Sequence, residues 1–113
     1  MPSTIEIHNQ AWTAAQKVVT DYLSKNPEPG FCGFGWAIIR PANSKFAKEL
    51  VAAGLAKKDS YQGGVRVWNP GGSMTQSMYL KEMATDAYVD VLLSHGIKAV
   101  SYTHLTLPTN REV

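Results

Sequence analysis

The stretch GGVRVWNPGGSMTQSMYLKEMATDAYVDVLL, residues 63–93, constrains the fold most. It reads as a short strand, a glycine-rich loop and a long amphipathic helix. Val65, Arg66, Val67 and Trp68 make a β-rich run, with Gly63-Gly64 before it and Asn69-Pro70-Gly71-Gly72 after it as turn signals. A helix is expected to start between Ser73 and Ser77. Ser73-Met74-Thr75-Gln76 fits a capping box, in which the serine accepts from the third backbone N–H and the glutamine side chain reaches back; Ser77 is an equal candidate for the cap. Leu80, Met83, Ala84, Ala87, Tyr88, Val91 and Leu92 then recur at steps of three and four, the spacing of one helical face. Lys81, Glu82, Asp86 and Asp90 fall between them and are expected to face water. Gly96 in a left-handed conformation should end the helix, with His95 in the last turn placed well for the helix dipole.

Two further helix–strand passages precede this unit. A first helix begins between Thr4 and Asn9, with Trp12, Ala15, Val18, Val19, Tyr22 and Leu23 as its apolar stripe, and Asn26-Pro27-Glu28-Pro29-Gly30 stops it. Residues 31–40, FCGFGWAIIR, form an apolar run between turn residues and are expected to be a central strand buried on both faces. Alternation gives it a bulky face (Cys32, Phe34, Trp36, Ile38) and a small face (Phe31, Gly33, Gly35, Ala37, Ile39). Glycine inside a strand marks a bulge or a close approach, and at Gly33 and Gly35 a packed helix is preferred over a ligand. Asn43 or Ser44 caps a second helix with Phe46, Ala47, Leu50 and Val51 inward and Gly54 near its end. Residues 56–62 read as a polar connection, and Ile97, Lys98 and Ala99 begin a third strand.

The order α-β-α-β-α-β predicts an α/β domain with a three-stranded, mostly parallel sheet and helices on both faces. The alternative is an α+β arrangement in which the strand at Val65 pairs antiparallel. Trp12, Phe34, Trp36, Ile38, Phe46, Leu50, Val67, Met83, Ala87 and Val91 are the expected core.

At 113 residues the chain fits one domain, assigned to residues 1–99, and its net charge of +2 does not by itself argue for nucleic acid. No apolar run is long enough to span a membrane, and the N-terminus lacks a signal-peptide pattern. A single cysteine excludes an internal disulfide framework and fits a reducing compartment, so a cytoplasmic location is expected.

The candidate chemistry gathers around residues 66–76. Arg66 and Trp68 share a strand face and could clamp a base or another planar ligand, or could lie beneath a helix. The loop from Asn69 to Gln76 leads into a helix N-terminus, so Asn69, Ser73 and Gln76 could hold a phosphate on free N–H groups. The loop lacks a Walker lysine, and a tight turn that needs glycine explains it somewhat better. His8, His95 and Cys32 stand apart without ligand spacing, so no metal and no cofactor is expected. Cys32, within a buried strand, reads as an inert small hydrophobe. Glu82 and Asp86, four apart, could hold a cation but suit a solvated face better.

Two resemblances add to this. The motifs CGFGWAII, NSKFAKEL, GGVRVW and QSMYLKEMATDAYVDVL followed by HGI resemble small uncharacterised proteins of marine tailed bacteriophages, over residues 31–99. The resemblance implies an accessory or binding protein acting on a host or viral macromolecule in the host cytoplasm, and it carries no catalytic residue. A small enzyme or a nucleotide- or phosphate-binding domain using the 69–77 loop is the alternative. Residues 100–113, VSYTHLTLPTNREV, begin with ten residues that resemble a translated sequencing adapter. They are therefore expected to be a non-native tail in which Tyr102, His104 and Arg111 carry no functional weight.

Overall fold

The apolar run at the centre of the chain becomes β1 (Cys32–Ile39), the strand around which the others are placed. The computed structural model describes residues 3–26, 32–59, 63–72 and 78–106. Before β1 comes α1 (Thr4–Leu23); after it come α2 (Lys45–Ala52), β2 (Lys57–Lys58), β3 (Val65–Trp68), α3 (Met78–Ser94) and β4 (Ala99–Thr106).

The four strands form one antiparallel sheet in the order β2-β3-β1-β4. The three-stranded, mostly parallel sheet is thereby corrected, and the α+β alternative with an antiparallel strand at Val65 is the observed class. The difference arises in residues 56–62, which the sequence suggests are only a connection. Lys57 and Lys58 pair with Arg66 and Val65, so the chain turns straight back into β3. Gly63 and Gly64, both at positive φ, make that reversal, and Asp59 N–H donates to the Gly64 carbonyl at 3.0 Å. The hairpin slots β3 between β1 and β2. Each helical crossover thus joins two parallel strands with an antiparallel one between them, the split β-α-β arrangement, used twice.

All three helices bury their apolar residues in a single core on one side of the sheet. It gathers Ala11, Ala15, Phe46, Leu50, Leu80, Ala84, Tyr88 and Leu92 against Ala37, Ile39, Val65 and Val67. Of the expected core, Ile38, Phe46, Leu50 and Val67 are buried, Trp12, Met83 and Val91 pack partly buried, and Ala87 and Trp36 are only half-buried. α3 is covered by α1 on one flank and by β1 and β4 on another. That double cover corrects the expectation for Lys81, which is buried together with Thr85 and Val89, whereas Glu82, Asp86 and Asp90 do face water. The small face of β1 is small because of this row. A Cβ on Gly35 would lie 2.6 Å from Thr85 Oγ1 and 3.1 Å from the Lys81 carbonyl, so a packed helix, not a ligand, claims that glycine.

The helix ends follow their signals. Ser3 and Glu6 form a capping box on α1, Ser44 accepts from Ala47 N–H at the start of α2, and Gly96 after α3 has φ 77°. β4 begins at Ala99 and continues through residue 106, so residues 100–106 of the segment expected to be a tail lie in the ladder with β1.

Candidate functional site

Strand parity puts a different chemistry on the side of the sheet away from the helical core. Trp36 lies directly opposite Trp68 on β3 and Tyr102 on β4. The Trp36 and Trp68 rings stack at 5.6 Å between centroids with planes 15° apart, and Trp36 and Tyr102 stack at 6.1 Å, also 15° apart. The three rings form a row across β3, β1 and β4. Arg66, two residues from Trp68 on the same face, holds its guanidinium carbon 5.9 Å from the Trp68 ring centre. At the other end Arg40 Nη2 donates to the Tyr102 hydroxyl at 3.3 Å. Trp68 is 49% exposed, which is high for the largest side chain and leaves about half of it to water or a ligand.

The row runs out at the edge of β3, where a groove of about 810 Å³ opens. It is lined by His8, Asn9 and Trp12 from α1, by residues 54–57, and by Arg66 and Trp68. This lies within the ~300–1,000 Å³ range of small-molecule sites. Lys57 stands opposite Arg66 in the β2–β3 register, so two cations sit side by side at the groove. Among the described residues lining it there is no Asp or Glu.

His8 forms the floor on the helix side. It is buried, and its Nδ1 is 2.7 Å from the hydroxyl of Tyr88, which is itself fully buried on α3. The His8 ring also lies 5.5 Å from the Trp12 ring and 5.6 Å, edge-on, from the Tyr88 ring. Burial pushes the His8 pKa below its ordinary value and the Tyr88 pKa well above its own, so both are neutral at pH 7.

Of the residues singled out from sequence, Arg66 and Trp68 meet at this site. Asn69 does not join them. Its φ is 49°, its amide oxygen accepts from Lys81 Nζ at 2.9 Å, and its backbone N–H donates to the Gly35 carbonyl at 2.9 Å. It is a strut at the end of β3, and the buried Lys81, whose pKa burial lowers, braces it. Ser73 and Gln76, and the side chains of Cys32 and Phe34, lie outside the described residues. The glycines of the loop serve packing, since a Cβ on Gly71, at φ 87°, would sit 3.0 Å from that of Ala15. Asp86 accepts from the Ser101 hydroxyl at 2.6 Å, and no group of acidic residues, histidines and cysteines fit for a metal occurs among the described residues. No described helix is long and apolar enough to cross a membrane.

Sequence reasoning missed His8, Trp12 and Lys57 as site residues. His8 and Trp12 are four apart and therefore share a helix face, which was a readable signal for the pair. Lys57 could be placed only once β2 was known to exist. No protein-family model, no curated protein and no solved structure matches the chain.

Proposed function

We propose that the protein is a binding module that holds single-stranded nucleic acid along the Arg66/Trp68 side of its sheet, an accessory part without chemistry of its own. The observation that carries this reading is the Trp36–Trp68 stack with Arg66 over its outer ring. Every base has a π-face, so a base can add to the exposed Trp68 end of the row with little regard to sequence, and flanking cations meet the phosphates. A widespread RNA-binding module also uses a four-stranded sheet whose aromatic side chains stack two or three bases. That parallel is one of architecture and supports the reading only alongside the aromatic row itself. The resemblance to phage proteins would make the strand a host or viral one, met in the host cytoplasm.

All three tryptophans of the chain, Trp12, Trp36 and Trp68, lie in or beside the site, so tryptophan fluorescence, excited selectively over the five tyrosines, reports on it. Short single-stranded DNA and RNA are expected to quench it, and duplexes much less. Few cations are involved, so the affinity should fall with salt at a log–log slope of only about −2, near −0.7 for each phosphate contacted. Equal response to duplex and single strand would remove the single-strand reading, and no response to either would remove nucleic acid and leave a protein partner for this face.

A further inference from the structure

We propose that the groove beside β3 is a nucleoside-phosphate site, adjoining the aromatic row at Trp68, that seats one nucleotide with its ring against Trp12 or Trp68 and its phosphate on Lys57, Arg66 and His8. It shares Trp68 and Arg66 with the strand-binding reading and extends it. The nucleotide is either free in solution or the phosphorylated end of a strand lying on the sheet.

Two independent observations point to an anion. The first is the cross-strand pair of Lys57 and Arg66. Like charges directly opposite in a ladder destabilise it. Among the described residues neither has a carboxylate within salt-bridge distance, the one such pair being Lys17 with Asp21 on α1. A bound phosphate would turn this repulsion into two charge-assisted contacts.

The second is the state of His8. It is 4% exposed, yet among the described residues its ring makes one hydrogen bond, from Nδ1 to Tyr88. The Tyr88 hydroxyl is buried and its proton needs an acceptor; Nδ1 is the acceptor at hand. Tyr88 therefore donates and Nδ1 accepts, which places the imidazole proton on Nε2. That N–H has no protein acceptor among the described residues, and His8 lines the groove. A buried donor without an acceptor costs stability and calls for a water, an ion or a ligand to complete it. The low dielectric that keeps the ring neutral also strengthens any hydrogen bond it makes to a phosphate oxygen. The aromatic surface from Trp12 on one side and Trp68 on the other then explains why the anion should carry a flat ring rather than be phosphate alone.

The test is a ¹H–¹⁵N NMR titration of the whole chain with adenosine 5′-monophosphate, adenosine, inorganic phosphate, and a tetranucleotide with and without a 5′-phosphate. Adenosine monophosphate is expected to move the indole N–H of Trp12 and Trp68 more than that of Trp36, and to bind at least about ten-fold tighter than adenosine or phosphate, the worth of one charge-assisted contact. If the mononucleotide is inert but the 5′-phosphorylated strand moves Trp12 and the unphosphorylated strand does not, the source is a strand end and the site stands. Long-range spectra should show the His8 proton on Nε2. Arg66→Gln, on the half-buried strand face, should lose about ten-fold in affinity with the fold intact, and His8→Phe should do the same if it folds. Equal affinity for adenosine and its monophosphate, or a response limited to Trp36, overturns the site. A Trp36 response to unphosphorylated strands alone would still leave the sheet-face function standing.

Discussion

The two faces of β1 and β3 are one residue step apart and have opposite chemistries. On the helix side Gly35, Ala37, Ile39, Val65 and Val67 are small or aliphatic and buried beneath α3 and its neighbours. On the other side Trp36, Arg66 and Trp68 are large, aromatic or cationic, and at least partly open, with Ile38, opposite Arg66, the aliphatic and fully buried exception. Where α3 packs closest, at Gly35, the strand has no room even for a methyl, whereas a ligand face benefits from broad rings that are not needed for folding. Stability and binding are thus written on alternate residues of the same strands, and substitutions should separate them by parity.

The sharpest break should come from the helix side. Leu80→Ala, at a fully buried position of α3, is expected to cost about 2–5 kcal/mol in a urea melt, the range for a buried leucine whose cavity collapses incompletely. Gly35→Ala comes next, at roughly 1–3 kcal/mol, because its new methyl meets Thr85 Oγ1 and the Lys81 carbonyl. Adding Thr85→Ala to it should recover part of that loss; if the double variant is no better than the single, the collision is with the backbone.

His8 gives a smaller, pH-dependent term. Burial holds its folded pKa below the usual 6.5, so as pH falls the unfolded chain takes up the proton first. The stability owed to the neutral ring is complete above about pH 6.5 and is lost as pH falls below it, until the folded pKa has been passed. Melts between pH 8 and pH 5 should show that decline, and His8→Phe should flatten it. The smallest effect on stability belongs to the ligand face. Trp68→Ala should change the melt by about 0.5 kcal/mol or less, as surface substitutions do, while lowering affinity for a single strand by about five- to a hundred-fold, the worth of one stacked base. A large loss of stability there would mean the aromatic row is core, and the contrast between the faces would fail.

Much of the helical framework was legible, since caps and left-handed glycines act locally. Ser44, Gly96 and the stop after Leu23 needed no tertiary knowledge. The parity of β1 was legible too, including the preference for a packed helix at Gly35. The sheet order was not. It turns on Lys57 and Lys58, two residues with no strand signature, which become β2 only because β3 lies beside them. Lys81 was misread for a related reason. Spacing defines one apolar face of a helix, but α3 is covered on two, and the row of Lys81, Thr85 and Val89 lies over the gap that Gly35 leaves. Arg66 and Trp68 were readable as a pair from their spacing. The groove they border required α1, and no feature of the sequence connects residue 8 with residue 66.

The split arrangement also sets an order of events during synthesis. β1 meets β3 at separations from 26 residues (Ile39 with Val65) to 32 (Trp36 with Trp68), but meets β4 only at 60 (Ile39 with Ala99) to 74 (Cys32 with Thr106). While the ribosome is making α3, one edge of the most apolar strand in the chain has no strand beside it. An open apolar edge is a template for pairing with other chains, and non-local ladders close slowly. The newborn protein therefore passes through an interval, at about 5–20 residues per second, in which β1 is exposed to chaperones or to a neighbouring nascent copy before its own last strand arrives.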